Sequence, residues 1–286
     1  MTSVLSWNIQ CGTGVDGGND LERIASVIRA MADVDIICLQ EVSRFNADLD
    51  GGRDDDQAAV MASLFPDHHP IFGAAFDRDG GIEEPRRQFG NMILSRLPVL
   101  QIFNHALPQP IPEMPCKHMP RQALEVVVAE ADRPPFRVTT THLEYHSAKQ
   151  RMAQVARLRD IQAEILENHS YGDHAPASGP YAAVARPARN LVCGDFNSEP
   201  DDPVYALMSD AINSPEDAYL DAWRTVYGDA PHAPTCGIFD RKQWPEGPHC
   251  RDFFFASGDL QERISRIEVD EQTAASDHQP VLLVLD

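Results

Sequence analysis

Apolar positions along this chain follow two rhythms, and the alternation between them predicts its elements. Residues 4–7 (Val-Leu-Ser-Trp) form a short strand-like run, and a Gly-rich turn follows. Leu21, Ile24, Ala25, Ile28 and Met31 then recur at helical spacing, with Asn19 or Asp20 placed to cap the helix start. Residues 35–40 (Asp-Ile-Ile-Cys-Leu-Gln) are apolar on both faces, the pattern of a central strand covered by a layer on each side, and they end in Glu41. Further strands are expected over 69–76, 91–95, 99–106, 123–129 and 136–142, separated by Pro or charged loops. Ser147 and Gln150 make a capping-box pattern. Met152, Val155, Leu158, Ile161 and Ile165 then mark one helix face, which should run to about Asn168. Residues 170–188 have loop composition and precede another buried strand at 190–193. Late strands are expected at 253–256 and 281–285, and no internal repeat at solenoid spacing is visible.

With 286 residues, 43% of them hydrophobic, the chain can fill one large core. A single domain over 1–286 is expected, because the candidate chemistry described below draws on both sides of the 170–188 loop. The N-terminus lacks a basic region and a long apolar run, so neither a signal peptide nor a membrane span is expected, and the default compartment is the cytoplasm. Six cysteines are scattered without C-x-x-C spacing and are expected to be reduced. Cys116 with His118, or Cys236 with Cys250 and His249, could suggest zinc, but neither group has structural-zinc spacing.

Charge narrows the partners. Forty-four acidic against 24 basic side chains give a formal charge of -20, a field that repels polyanions and disfavours duplex nucleic acid, although nucleic acid stays possible. Polar residues placed where apolar strands end are Asn8, Glu41, His142, Asp195 with Asn197, Asp252, and Asp277 with His278. Strand ends are where functional side chains converge in layered α/β architectures. Any one of these residues could equally be a turn cap, a surface acid or a satisfied core histidine. As a set they are rich in carboxylates and amides, hard oxygen donors that suit Mg²⁺ or Mn²⁺ better than zinc. A phosphate group held there also needs a residue to orient water and donors to neutralise developing charge.

Five segments occur in order: Leu5-Ser6-Trp7-Asn8, Leu39-Gln40-Glu41-Val42, Thr141-His142-Leu143, Gly194-Asp195-Phe196-Asn197 and Ser276-Asp277-His278-Gln279-Pro280. Together they resemble the endonuclease/exonuclease/phosphatase superfamily, which includes pancreatic-type deoxyribonucleases, apurinic endonucleases, neutral sphingomyelinases, deadenylases and inositol-polyphosphate 5-phosphatases. Gly90-Asn91-Met92-Ile93-Leu94-Ser95-Arg96 and Arg121-Gln122-Ala123-Leu124 look like two further strands of that family. The resemblance implies an α+β fold: a four-layer αββα sandwich of two mixed, mostly antiparallel sheets flanked by helices. It also implies a divalent-metal-dependent phosphoesterase, with Mg²⁺ or Mn²⁺, that hydrolyses a phosphate ester by direct attack of water, a phosphodiester being expected.

By position in the matching motifs, Glu41 should be the main metal ligand, with Asn8 and Asp277 completing or orienting the metal's shell. Asp195 should align and deprotonate the attacking water, and Asn197 should help hold water and phosphate. His278 should contact a phosphate oxygen with Asp252 holding its imidazole, and His142 should bind phosphate or assist the leaving group. Gln10 stands where apurinic endonucleases usually carry an acid, and those enzymes lack the Thr-His-Leu segment; the chain therefore resembles the sphingomyelinase, deadenylase and deoxyribonuclease side.

Alternatives remain at this level. A small or inositol-type phosphomonoester is the nearest, and a non-catalytic module on the same fold is a second. Gly12-Thr13-Gly14-Val15-Asp16-Gly17 formally matches a dinucleotide fingerprint, but the periodic helix starts too late, near Asn19. Arg86, Arg87, Arg121, Lys149 and Arg151 could each bind one phosphate or be solvated surface charges. The irregular segments 108–120 and 227–249, with Met114, Met119, Phe239 and Trp244, could wall the substrate pocket or merely cover it.

Overall fold

In the computed structural model, which describes residues 1–47, 55–171, 179, 186–214 and 217–286, β1 (Thr2–Asn8) pairs in parallel with β2 (Ile36–Arg44). The crossover between them is α1 (Leu21–Met31). Of the two candidate caps it is Asp20 that accepts the Arg23 amide, while Asn19 turns to the Cys11 carbonyl and Thr13. A short helix, α2 (Gln57–Leu64), leads to β3 (His69–Arg78) and β4 (Arg87–Ser95), and β4 packs antiparallel against β2.

The chain then builds a second sheet from β5 (Val99–Ala106), β6 (Gln122–Glu130) and β7 (Arg133–His142). Next comes α3 (Ala148–Tyr171), which extends beyond the expected end near Asn168; the Ser147 hydroxyl accepts the Gln150 amide, as the capping pattern requires. The loop expected over 170–188 lies mostly outside the described residues. Beyond it, β8 (Asn190–Asp195) runs parallel to β7. α4 (Pro203–Ser209), β9 (Tyr219–Asp221), α5 (Ala222–Tyr227), β10 (Asp252–Ser257) and α6 (Gly258–Gln261) follow. Finally β11 (Ile264–Val269) and β12 (Val281–Leu285) return to the first sheet.

The result is two six-stranded sheets, ordered β11-β12-β1-β2-β4-β3 and β5-β6-β7-β8-β10-β9. Parallel and antiparallel pairs mix in each, antiparallel pairs dominate, and helices cover both outer faces: a four-layer α+β sandwich.

Alternation along the strands sorts their side chains into three apolar layers. Val4, Ile36, Cys38 and Ile93 of the first sheet meet Leu124, Val138, Cys193 and Phe254 of the second. Leu5, Trp7, Ile37 and Leu39, on the opposite faces of β1 and β2, pack under Ile24, Ala25 and Ile28 of α1 and Met61 of α2. Val192, Phe253 and Phe255 are covered by Val155 and Leu158 of α3 and by Val204 and Met208 of α4. Fully burying a side chain such as Val, Leu, Ile or Phe contributes roughly 1.5–3 kcal/mol. Among the described residues, no helix is long and apolar enough to cross a membrane.

Candidate active site

Register brings the chemistry together. On the second sheet His142 is paired with Asp195, and Asp195 with Asp252, so three functional side chains stand in a row across β7, β8 and β10. On the first sheet Asn8, the last residue of β1, is paired with Gln40 and so stands beside Glu41; β2 does not end at Glu41, as its sequence suggested, but continues to Arg44. Two bridges tie the sheets at this rim: Asn8 Nδ2 donates to Asp195 Oδ2 at 3.0 Å, and Gln40 Nε2 donates to Thr140 Oγ1 at 2.8 Å.

Two backbone irregularities aim these residues. The β2–β4 register shifts between Leu39 and Val42, and Glu41 there has a φ of 57, a left-handed conformation at a bulge. In β8, Gly194 has a φ of 136, and a Cβ at that position would lie 1.9 Å from the Thr141 carbonyl oxygen. Only glycine lets β8 approach β7 closely enough to set Asp195 beside His142.

Around Asp195 the contacts are dense. His142 Nε2 lies 3.4 Å and His278 Nε2 3.7 Å from its Oδ2, and the Asn197 amide donates to its Oδ1 at 2.8 Å. Burial alone would raise the Asp195 pKa, but the neighbouring imidazoles, the Asn197 amide and Asn8 hold it below the usual carboxylate range. Burial depresses the His142 pKa far below the ordinary imidazole range, with Arg121 adding to the effect. Burial thus favours the neutral imidazole, and its Nδ1 is buried without a hydrogen-bond partner, 3.9 Å from Glu41 Oε1.

His278 is the opposite case. Its Nδ1 lies 2.8 Å from Asp252 Oδ2. Burial opposes its charge, yet Asp252, Asp195 and Asp277 raise its pKa well above the ordinary value. Burial pushes Asp252 up to about 6 and Asp277 upward. Glu41, whose side chain is 25% exposed, is pushed to about 7 by desolvation and the charge of Asp277. In all three acids the largest cause is desolvation, which disfavours the charged carboxylate.

Which atoms could meet a cation follows from the hydrogen bonds. Asn8 Nδ2 donates to Glu41 Oε1 at 3.0 Å, while its Oδ1 accepts the Gln10 amide at 3.1 Å, so the amide's orientation is fixed with its NH₂ toward the carboxylates. Asp195, Asp252 and His278 have ligand atoms within 4.8 Å of one another. The imidazolium of His278 is nevertheless a donor already committed to Asp252, not a metal ligand. Glu41 and Asp277 are the other carboxylates lining the same cavity; Asp277 Oδ2 accepts Gln243 Nε2 and its Oδ1 accepts Ser276 Oγ.

These residues border a cavity of about 470 Å³, lined by Glu41, His142, Asp195, Asn197, Asp277 and His278 among others. All the residues expected from the sequence thus gather at one end of the two sheets, with Asn8 and Asp252 immediately behind the lining. Asn197 commits its Nδ2 to the Leu143 carbonyl at 2.9 Å.

Several contributors were invisible or ambiguous in the sequence. Of the five basic residues considered, Arg121 lines the cavity and is only 6% exposed. Its Nε reaches Glu144 Oε2 at 3.4 Å and its Nη1 is buried without a partner. Arg86 instead pairs with Asp77 at the surface, and Arg151 donates to the Glu144 and Tyr145 carbonyls. Gln243 Nε2 and Trp244 Nε1 reach Asp277 Oδ2 at 2.8 Å and 3.3 Å, so the 227–249 segment holds the site rather than merely covering it. Met119 and Trp244 line the cavity; Met114 and Phe239 do not.

The Cys236, Cys250 and His249 group is engaged with other partners. Cys236 Sγ comes within 3.1 Å of His249 Nε2, but that nitrogen also accepts Arg251 Nε at 2.7 Å, and Cys250 turns to the Asp252 carbonyl. Residues 12–17 likewise make no phosphate cradle opening a helix, since α1 begins at Leu21.

Residues 5–278 match the pattern of the endonuclease/exonuclease/phosphatase family. The chain belongs to that family. A solved family structure from Beutenbergia cavernae is 25% identical with a TM-score of 0.70, covering 99% of this chain and 71% of the other. A mannosyl-6-phosphatase from Bacteroides thetaiotaomicron is 18% identical with a TM-score of 0.67, covering 100% of both chains. The human Nocturnin catalytic domain, solved with a bound sulfate, is 19% identical with a TM-score of 0.59, covering 100% of this chain and 93% of that one. No curated protein matches the chain. As a member of the endonuclease/exonuclease/phosphatase family, this protein is a phosphate-ester hydrolase.

Proposed function

We propose that the protein is a Mg²⁺- or Mn²⁺-dependent phosphodiesterase that hydrolyses its substrate by direct attack of water. The observation that carries this reading is the balance of charge at one cavity: three acids in its lining, Glu41, Asp195 and Asp277, with Asp252 directly behind them against His278, and two cations, Arg121 and His278. A dianionic monoester entering that field meets more repulsion than a monoanionic diester. The acid surplus also suits a hard divalent cation held by Glu41 and Asp277, with Asn8 fixing the Glu41 carboxylate. Bound there, such an ion would polarise a non-bridging phosphate oxygen and lower the pKa of water.

The remaining steps belong to the chain's own side chains. Asp195, kept ionised by its donors, accepts a proton from the attacking water. Its Oδ1 accepts the Asn197 amide, while Oδ2, which accepts from Asn8 Nδ2 and lies near both imidazoles, is the atom assigned to take that proton. His278, charged and oriented by Asp252, donates from Nε2 to a phosphate oxygen. Arg121 offers its unpartnered Nη1 to the same group. Neutral His142 binds the phosphate or the leaving oxygen, and Asn197 positions water. Positioning plus electrostatics supplies most of the barrier reduction for such a displacement, without a covalent intermediate.

A panel of bis-p-nitrophenyl phosphate and p-nitrophenyl phosphate, with Mg²⁺, Mn²⁺ or EDTA, tests the reading. Metal-dependent turnover of the diester above the monoester is the expected result. Turnover of the monoester alone would assign the site to a phosphatase, the reading that the fold shared with the mannosyl-6-phosphatase keeps in second place.

A further inference from the structure

Resting on the phosphodiesterase reading, the rest of the cavity's lining bears on what the phosphate is attached to. Besides the carboxylates, the lining includes Phe89, Met119, Tyr145 and Trp244, the last reaching Asp277 through its Nε1. Trp244 is 1% exposed and serves as backing, whereas Tyr145 keeps 41% exposure. Tyr145 is braced: its centroid lies 4.8 Å from His146 and 5.9 Å from Trp244, both edge-to-face, at 86° and 76°. Arg251 stands 5.7 Å from its centroid and 4.8 Å from that of Trp244. The Tyr145 carbonyl is held by Arg151 Nη1 at 2.6 Å. Among the described residues, no ring lies parallel on Tyr145.

A large ring fixed by neighbours yet open on a cavity beside a phosphate site is a stacking surface. Stacking on it favours a planar group, since rigid ring-on-ring contact loses little conformational entropy. Polar groups border the same space: Gln10, Gln243 and His146. An alkyl chain would strip water from them without replacing its hydrogen bonds, whereas the edge of a heterocyclic base carries donors and acceptors. About 470 Å³ is a volume within the range of pockets that hold small ligands. The net charge of -20 in turn disfavours a long polyanion.

We propose that Tyr145 is a specificity-determining residue, a platform on which the base of a small nucleoside phosphodiester stacks while its phosphate sits between Arg121, His278 and Asp195. The substrate class is thus a diester carrying a nucleoside on one side of the phosphorus.

Three esters sharing one leaving group test this: thymidine 5′-(p-nitrophenyl phosphate), methyl p-nitrophenyl phosphate and hexyl p-nitrophenyl phosphate, each assayed with Mn²⁺. The intact protein is expected to prefer the thymidine ester over the methyl ester in kcat/KM by fivefold to about a hundredfold, the range of one stacked base. Tyr145→Ala should collapse that ratio, mainly through KM for the thymidine ester, and Tyr145→Phe should retain it. Equal kcat/KM for the thymidine and methyl esters in the unaltered protein would overturn the proposal, as would a preference for the hexyl ester or a ratio untouched by Tyr145→Ala. The unaltered protein alone decides the first two outcomes, so they do not depend on the variant folding. Absence of metal-dependent turnover with all three esters would instead sink the phosphodiesterase reading beneath it.

Discussion

His278 Nδ1 and Asp252 Oδ2 lie 2.8 Å apart, each side chain no more than 3% exposed, and each changes the other's charge. Asp252→Asn keeps the shape of that contact while removing the charge that favours the imidazolium. A loss of roughly a hundredfold in kcat is expected, with KM changing much less, because the charged donor matters most as negative charge develops. Steady-state kinetics on a diester measures this; a variant within about twofold of the unaltered protein would remove His278 from its assigned role.

Arg121 and Glu144 form a second buried pair. Glu144 Oε2 accepts Arg121 Nε and the Met119 amide at 3.2 Å, and Oε1 accepts the His146 amide at 3.0 Å. Arg121→Lys keeps a positive charge but loses the planar fork that can bind Glu144 and phosphate at once. Activity on a diester should fall at least about tenfold. Glu144→Gln, with Arg121 left less firmly held, should fall by a smaller factor. Rates unchanged in both would mean that Arg121 serves only the fold.

The pH dependence of stability has a source far from the cavity. Glu125, 1% exposed, accepts Arg186 Nε at 2.9 Å and Arg137 Nη1 at 3.1 Å. Burial alone would raise its pKa, but the His105 hydrogen bond and the two guanidinium groups bring it from 4.5 to about 2. A carboxylate depressed in the folded state contributes its full stability above the unfolded value and loses it as pH falls toward the folded one. The contribution is on the order of 3 kcal/mol, present above about pH 4.5 and lost between there and pH 2. Urea denaturation of the unaltered protein and of Glu125→Gln should show a stability gap of that order at pH 7 that closes over the same interval. A gap independent of pH would contradict the assignment.

Much of this molecule was legible in its sequence because the sequence encodes periodicity and motif order directly. Residues 99–106 and 281–285 are strands with the bounds read from the sequence, and His142 and Asp195 end β7 and β8 as expected, whereas Glu41 lies inside β2, which runs on to Arg44, and Asp277 lies in the loop before β12. Elements with little burial were not legible: β11 presents half-exposed residues on a sheet edge, and α2 has almost no amphipathic signal. Nor was the burial of Arg121, since a lone arginine before a strand looks the same whether it faces solvent or a carboxylate 23 residues away. The bulge that turns Glu41 inward and the reach of Gln243 to Asp277 are tertiary facts without a local pattern.

Metal-dependent diester hydrolysis in this cavity is tested most directly by titrating Mg²⁺ or Mn²⁺ into EDTA-treated protein and into its Glu41→Gln variant, following p-nitrophenolate release from bis-p-nitrophenyl phosphate. Saturable activation of the unaltered protein is expected, with the variant at least about a hundredfold slower at every metal concentration. Turnover that persists in EDTA, or a Glu41→Gln variant with unaltered metal activation, would contradict it.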